Sequence, residues 1–238
     1  MNKLRPTDGT DPHRRQARYH MDALATGSAP IHANLAALMT PLYLDLKAKA
    51  RATEDGEDDW LGASARTDAA EIALENAVRG IDLKGKEADR ADPSINAQKT
   101  IFPKGFGPVI DPEGEIQQKT LPPLYVRIAP FLGNADIAGA VAKLQDTEKT
   151  FKQRIQEEKD ALEKVDTYFA QEQEARRLIR EQLDSANGLL RDFYKGRTAL
   201  AENFFYREKK KRSQPKKGDG TDAVPPAPPS PAPADGMP

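Results

Sequence analysis

The chain has 238 residues, with 36 Lys or Arg against 37 Asp or Glu, a net charge of −1, and no cysteine. The lack of cysteine excludes disulfides, cysteine-ligated zinc, iron–sulfur clusters and thiol nucleophiles. Leu, Ile, Val and Phe together number only 45, close to the composition of disordered chains, yet the near-zero net charge opposes wholesale disorder. An alanine-rich helical protein with loose ends satisfies both.

Residues 1–29 are polar and rich in Arg, Asp and Gly, and read as a flexible N-terminal arm. Arg14-Arg15 is followed by Gln16, Arg18 and His20 rather than an apolar run, so neither a Sec nor a twin-arginine signal is expected. The most apolar window, Ala33 to Leu44, is interrupted by Asn34, Thr40 and Pro41 and falls short of the roughly 20 residues a membrane span needs. The expectation is a cytoplasmic protein.

Ile31, Leu35, Leu38, Leu42 and Leu46 share one face at helical spacing, which predicts a helix over about 31–53. Pro30 suits its first position, and Pro41 predicts a kink rather than a break, because the leucine phase continues across it. Glu54 to Asp59 then reads as an acidic turn. It is no EF-hand, since placing Gly56 at the sixth position puts the cation Arg51 at the first. Carboxylates there favour the start of a second helix through its dipole. That helix is expected over 60–88, antiparallel to the first, with Ala70, Leu74, Ala77, Val78 and Ile81 facing inward and Trp60 anchoring the bundle end.

Prolines at 93, 103, 108, 112, 122, 123 and 130 forbid a long helix across 91–133. Ile101, Phe102, Phe106, Val109 and Ile110 are nevertheless too apolar for a free linker. The expectation is an irregular but ordered crossover loop over 91–123, with a short helix over about 124–132. Gly105-Phe106-Gly107 beside Lys104 matches no phosphate-loop pattern.

The longest regular stretch runs from Asn134 to about Lys211 and holds no proline. Alternate steps of four and three from Ile137 reach Phe204, and fifteen of the twenty positions reached are apolar. That seven-residue repeat predicts one long helix with a buried stripe. Its flanks, among them Ala161, Tyr168, Leu189 and Tyr194, widen the apolar face and favour a helical bundle over a dimeric rod. Asn187-Gly188 is a turn-type pair, but the phase passes through it unshifted, so continuity is expected, with a kink or reversal there as the alternative.

Beyond the helix, Arg207 to Lys217 is strongly basic, and 213–238 reads as a disordered tail, basic and then Pro/Ala-rich. Pro225, Pro228 and Pro231 make P-x-x-P spacings that such a composition produces by itself.

His13, His20 and His32 form no metal-binding pair, and the residues three before them, Thr10, Ala17 and Ala29, are not the glutamates of a di-iron bundle. No G-x-S-x-G elbow is present. Glu148, Glu158 and Glu172 on the seam fit a solvent edge, or pairing with Arg176 and Arg197, better than an acid site.

The sequence thus predicts an all-α, elongated bundle domain over 30–212, built on one long C-terminal helix with an N-terminal antiparallel helix pair. The expected role is non-enzymatic, in binding, scaffolding or structure, with protein partners or self-association and no cofactor or metal. The alternative is non-specific contact with nucleic acid or another polyanion through Arg207, Lys209, Lys210, Lys211, Arg212, Lys216 and Lys217, because their number exceeds what a helix C-terminus needs.

Overall fold

The computed structural model describes residues 4–207. The 213–238 tail with its P-x-x-P spacings, and the basic residues from Lys209 onward, lie outside them. The elements below belong to the unit Met1–Tyr206. They are all helical: α1 (Thr10–Ala25), α2 (Pro30–Ala91), α3 (Ala97–Ile101), α4 (Gly107–Ile110), α5 (Gly114–Gln118), α6 (Leu121–Ile128), a 3₁₀ turn (Ala129–Phe131), α7 (Ala135–Phe193) and α8 (Thr198–Glu202).

The two helices expected over 31–53 and 60–88 are one, and the expected antiparallel helix pair is replaced by α2 against α7. At 62 residues α2 is about 90 Å long. The acidic run Glu54–Asp59 continues the helix because its carboxylates point to solvent, while Gly56 and Thr53 face inward. Inward-facing positions step by sevens straight through it, as the buried Gly56, Ala63, Ala70 and Ala77 and as Thr53, half-buried Trp60, Thr67, Leu74, Ile81 and Ala88. Small residues are required in the middle: a Cβ on Gly56 would come within 3.0 Å of the Tyr168 ring on α7. Trp60 accordingly lies mid-helix and half-buried, not at a bundle end. Of the five residues expected on one face of the first segment, Leu38 is 55% exposed, and Met39 takes the buried place beside Leu35 and Leu46.

The supposed N-terminal arm is also a helix. The α1 residues His13, Gln16, Ala17, His20 and Leu24 are buried against the α2/α7 pair. Within the crossover, the loop expected at 91–123 contains α3, α4 and α5, and α6 starts three residues before the expected 124, with Pro122 and Pro123 in its first turn. Ile101, Phe102, Val109 and Ile110 are buried, so the crossover drapes over the bundle as its composition requires.

The side chain of Asn134 caps α7 by accepting from the N–H groups of Asp136 and Ile137. The helix passes unbroken through Asn187-Gly188 but ends at Phe193, not near Lys211. Gly196, at φ 79°, turns the chain, and the Arg197 N–H donates back to the Tyr194 carbonyl. The apolar phase at Leu200 and Phe204 therefore belongs to a returning segment, not to a continued helix.

Two apolar cores result. The first joins the second half of α2 and the first half of α7 with Ile101, Phe102, Val109, Leu121, Leu124 and Ile128 from the crossover, and includes Phe151. The second joins α1, the start of α2 and the end of α7 with Ala201 and Phe205 of the returning segment. Between them α2 and α7 hold each other with little covering, and Leu162 and Phe169 of the seam are 44% and 43% exposed. The seam is thus a bundle face at its ends and a two-helix face in its middle.

Candidate functional site

The densest set of buried polar groups lies where α1 meets α2 and α7. Glu172 is 4% exposed and accepts from the Arg176 guanidinium one turn along α7 and from the Thr10 hydroxyl at the start of α1. Burial pushes its carboxyl up, but hydrogen bonds from Arg176, Thr10 and Thr53 outweigh that and hold it below the usual carboxylate range. Arg176 also lies over the Phe169 ring, 5.6 Å from its centroid. Of the seam carboxylates, Glu172 is therefore an interior ion pair rather than a solvent edge. Glu148 pairs with Lys152 and accepts from the Tyr125 hydroxyl at 2.6 Å. Burial, and then that hydrogen bond, push the Tyr125 phenol up.

Three histidines line the same end, each fully or almost fully buried. His13 donates from Nδ1 to the Gly9 carbonyl at 2.8 Å, and its Nε2 lies 2.9 Å from Nη1 of Arg180. A guanidinium only donates, so Nε2 accepts and the ring is neutral. His20 donates from Nδ1 to the Phe204 carbonyl at 2.9 Å and stacks on Phe205, while its Nε2 has no hydrogen-bond partner among the described residues. His32 packs nearly parallel to Tyr194 and Phe204, which also lie 6.0 Å from each other, and its Nε2 is 2.9 Å from the Tyr194 hydroxyl. The histidine spacing, uninformative in sequence, reflects packing along α1 and at the start of α2. The signal that could have found it is the spacing His13, Gln16, Ala17, His20 and Leu24, which is helical but mostly polar.

Burial holds the His13 imidazole below its ordinary value; the Gly9 carbonyl opposes this, and Arg180 and Arg176 reinforce it. Burial does the same to His20, opposed by the Phe204 carbonyl. Chemically the arrangement fixes helices: His13, His20, His32 and Glu172 each join elements distant in sequence.

Among the described residues, no group of three His, Cys, Asp or Glu is placed to hold a metal ion, and no helix is long and apolar enough to cross a membrane. An open groove between α2 and α7, lined by Asp58, Asp59, Arg66, Glu157, Asp160 and Lys164, carries both signs of charge. Of the predicted basic cluster only Arg207 lies within the described residues, where it is exposed. It sits fourteen positions beyond the end of α7, so the cluster is not the cationic terminus of that helix. Lys209, Lys210, Lys211, Arg212, Lys216 and Lys217 lie outside. Compared with protein-family models, curated proteins and solved structures, the chain finds no match in any of the three.

Proposed function

We propose that this protein is a non-enzymatic scaffolding or structural component that works through protein contacts, one of them with a second copy of itself along α7. The observation that carries this is the thinly covered middle of the helix. Leu162 is exposed there, with half-buried Ile155 seven residues before it and exposed Phe169 seven after. Lys159 precedes Leu162 by three residues, and Asp166 follows it by four. About a two-fold axis at Leu162, an antiparallel copy sets Ile155 against Phe169 and brings Lys159 to within one residue, about 1.5 Å along the helix, of the level of Asp166 on both sides. An isologous contact requires such self-complementarity, and flanking charges specify its register.

Light scattering on the full chain tests this. The expected mass is about twice the 26.2 kDa of one chain. Lys159→Asp should return the monomer, and adding Asp166→Lys should restore the dimer. Lys159 also pairs with Glu115, but both side chains are about half exposed, so that loss alone is minor. A wild-type monomer at every concentration, or a charge reversal without effect, rejects the self-contact.

Polyanion binding is favoured by a different observation, the cation density of Arg207, Lys209, Lys210, Lys211, Arg212, Lys216 and Lys217 in the sequence. Its test is the salt dependence of duplex DNA binding, with a slope near −0.9 per phosphate neutralised. No binding at low salt removes it.

A further inference from the structure

We propose that α1 and the returning segment 198–206 form a cover over the α2/α7 groove that protons release, held at neutral pH by the uncharged imidazoles of His13 and His20. The two rings occupy the joints of this cover. His13 fastens the first turn of α1 to α7 through Arg180, and His20 fastens the middle of α1 to the returning segment through the Phe204 carbonyl. Tyr19 adds a second tie, its hydroxyl donating to the Asn203 carbonyl at 3.3 Å.

Protonation breaks each joint by a different route. At His13 the added proton goes on Nε2, which then points a donor at a donor and a cation at the Arg180 guanidinium. The charges around this ring are Arg180 and Arg176 on α7, with Asp8 before α1. Glu172, the carboxylate nearby, is already engaged by Arg176 and Thr10. On α2 the uncharged Thr53 also engages Glu172. At His20 the proton also goes on Nε2, buried beside Phe205 with no acceptor among the described residues. Among the described residues only the Phe204 carbonyl acts to raise the affinity of this ring for a proton. A buried donor without an acceptor is costly, and a buried unpaired charge more so.

The sign follows from linkage. Both folded values lie below the ordinary histidine value of 6.5, so the released state binds more protons. The cover is fully held above that value and weakens as the pH falls from it towards the folded values. Release bares Leu35, Met39, Ile179 and Leu183 of the second core. The first core contains no histidine and should remain closed.

Hydrogen exchange by mass spectrometry on the full chain, at pH 7.5 and 5.5 and corrected for intrinsic rates, tests this. Peptides covering 10–25 and 198–206 should lose up to about tenfold in protection for each depressed ring, since pH 5.5 lies one unit below the released value. Peptides covering 97–128 and 135–155 should keep theirs. The His13→Gln/His20→Phe variant should show a much smaller ratio between the two pH values, whatever its absolute protection. In case that variant does not fold, the imidazole resonances of the wild type provide a separate readout: two should titrate below the ordinary value, together with the loss of protection. Equal protection of 10–25 at both pH values, loss in all peptides at once, an unchanged ratio in the variant, or two rings titrating at the ordinary value would each overturn the proposal.

Discussion

Gly85 of α2 lies against the backbone of Gln98 in α3, where a Cβ added to the glycine would come within 3.1 Å of the Gln98 Cα and 3.3 Å of its nitrogen. That backbone cannot retreat easily. The Asp89 carboxylate accepts from the N–H groups of Ala97 and Gln98, and Asp82 accepts from the Gln98 side chain at 2.9 Å. Gly85→Ala should therefore destabilise the protein, although alanine is the better helix former by about 1 kcal/mol. Gly188, in α7, has nothing within 4 Å of its added Cβ, and Gly188→Ala should stabilise by about 0.5–1 kcal/mol. Urea midpoints of the two variants, shifting in opposite directions, check this.

Burial along α7 predicts unequal costs for residues in one heptad phase. Phe151 is fully buried and Leu162 is 44% exposed. Phe151→Ala should cost about 3–5 kcal/mol, as large core truncations do. Leu162→Ala, measured at concentrations where the chain is monomeric, should cost under about 1 kcal/mol, because much of its area then meets water. Chemical denaturation of both resolves the difference.

Glu172 predicts an acid limit separate from that of the histidines. Its folded carboxyl lies below the ordinary value, so its contribution is present above about pH 4.5 and is lost as the pH falls through the folded value. Glu172→Gln should flatten the dependence of stability on pH below 4.5. It should also destabilise at pH 7, because Arg176, 13% exposed, is left buried without its counter-charge; breaking such pairs costs about 3–5 kcal/mol. A denaturation series from pH 7 to 3 measures both effects.

Gly196 predicts a local effect. At φ 79° it occupies the left-handed region, where a residue with a Cβ costs about 1–2 kcal/mol. Gly196→Ala should loosen 198–206 and leave α7 intact, seen as faster exchange confined to the returning segment.

The all-α class and the continuity of α7 across Asn187-Gly188 were legible because their signals are periodic. Ile137, Val141, Leu144 and Phe151 at one end, and Ile179, Leu183, Ala186 and Leu190 at the other, keep one phase and are all buried. The continuity of α2 was hidden because its central contacts are Gly56, Ala63 and Thr67, which carry almost no hydropathy signal beside five acidic residues. The helix α1 was missed for the same reason: His13, Gln16 and His20 are polar side chains buried by specific hydrogen bonds and stacking rather than by hydrophobicity. At the C-terminal end the phase persisted by coincidence through Leu200 and Phe204, and the one signal against continuation was Gly196. Of the candidate site, the pairing of Glu172 with Arg176 followed from their i,i+4 spacing. The approach of Thr10 from the other end of the chain did not, since no local pattern encodes it.

The two cores also differ in how far apart in the chain their members lie. The first draws on residues between Ala70 and Ile155. The second joins His13 to Arg180 and His20 to Phe204, separations of 167 and 184 residues. During synthesis the first core is complete in sequence once Ile155 has left the ribosome. The helix made first, α1, can meet α2 early, but its ties to Arg180 and Phe204 must wait until those residues have been made. Through that interval Leu35, Met39 and Leu46 on the nascent α2 lack the cover of Ile179, Leu183 and Phe205, and exposed apolar surface of this kind is what chaperones bind and what aggregates.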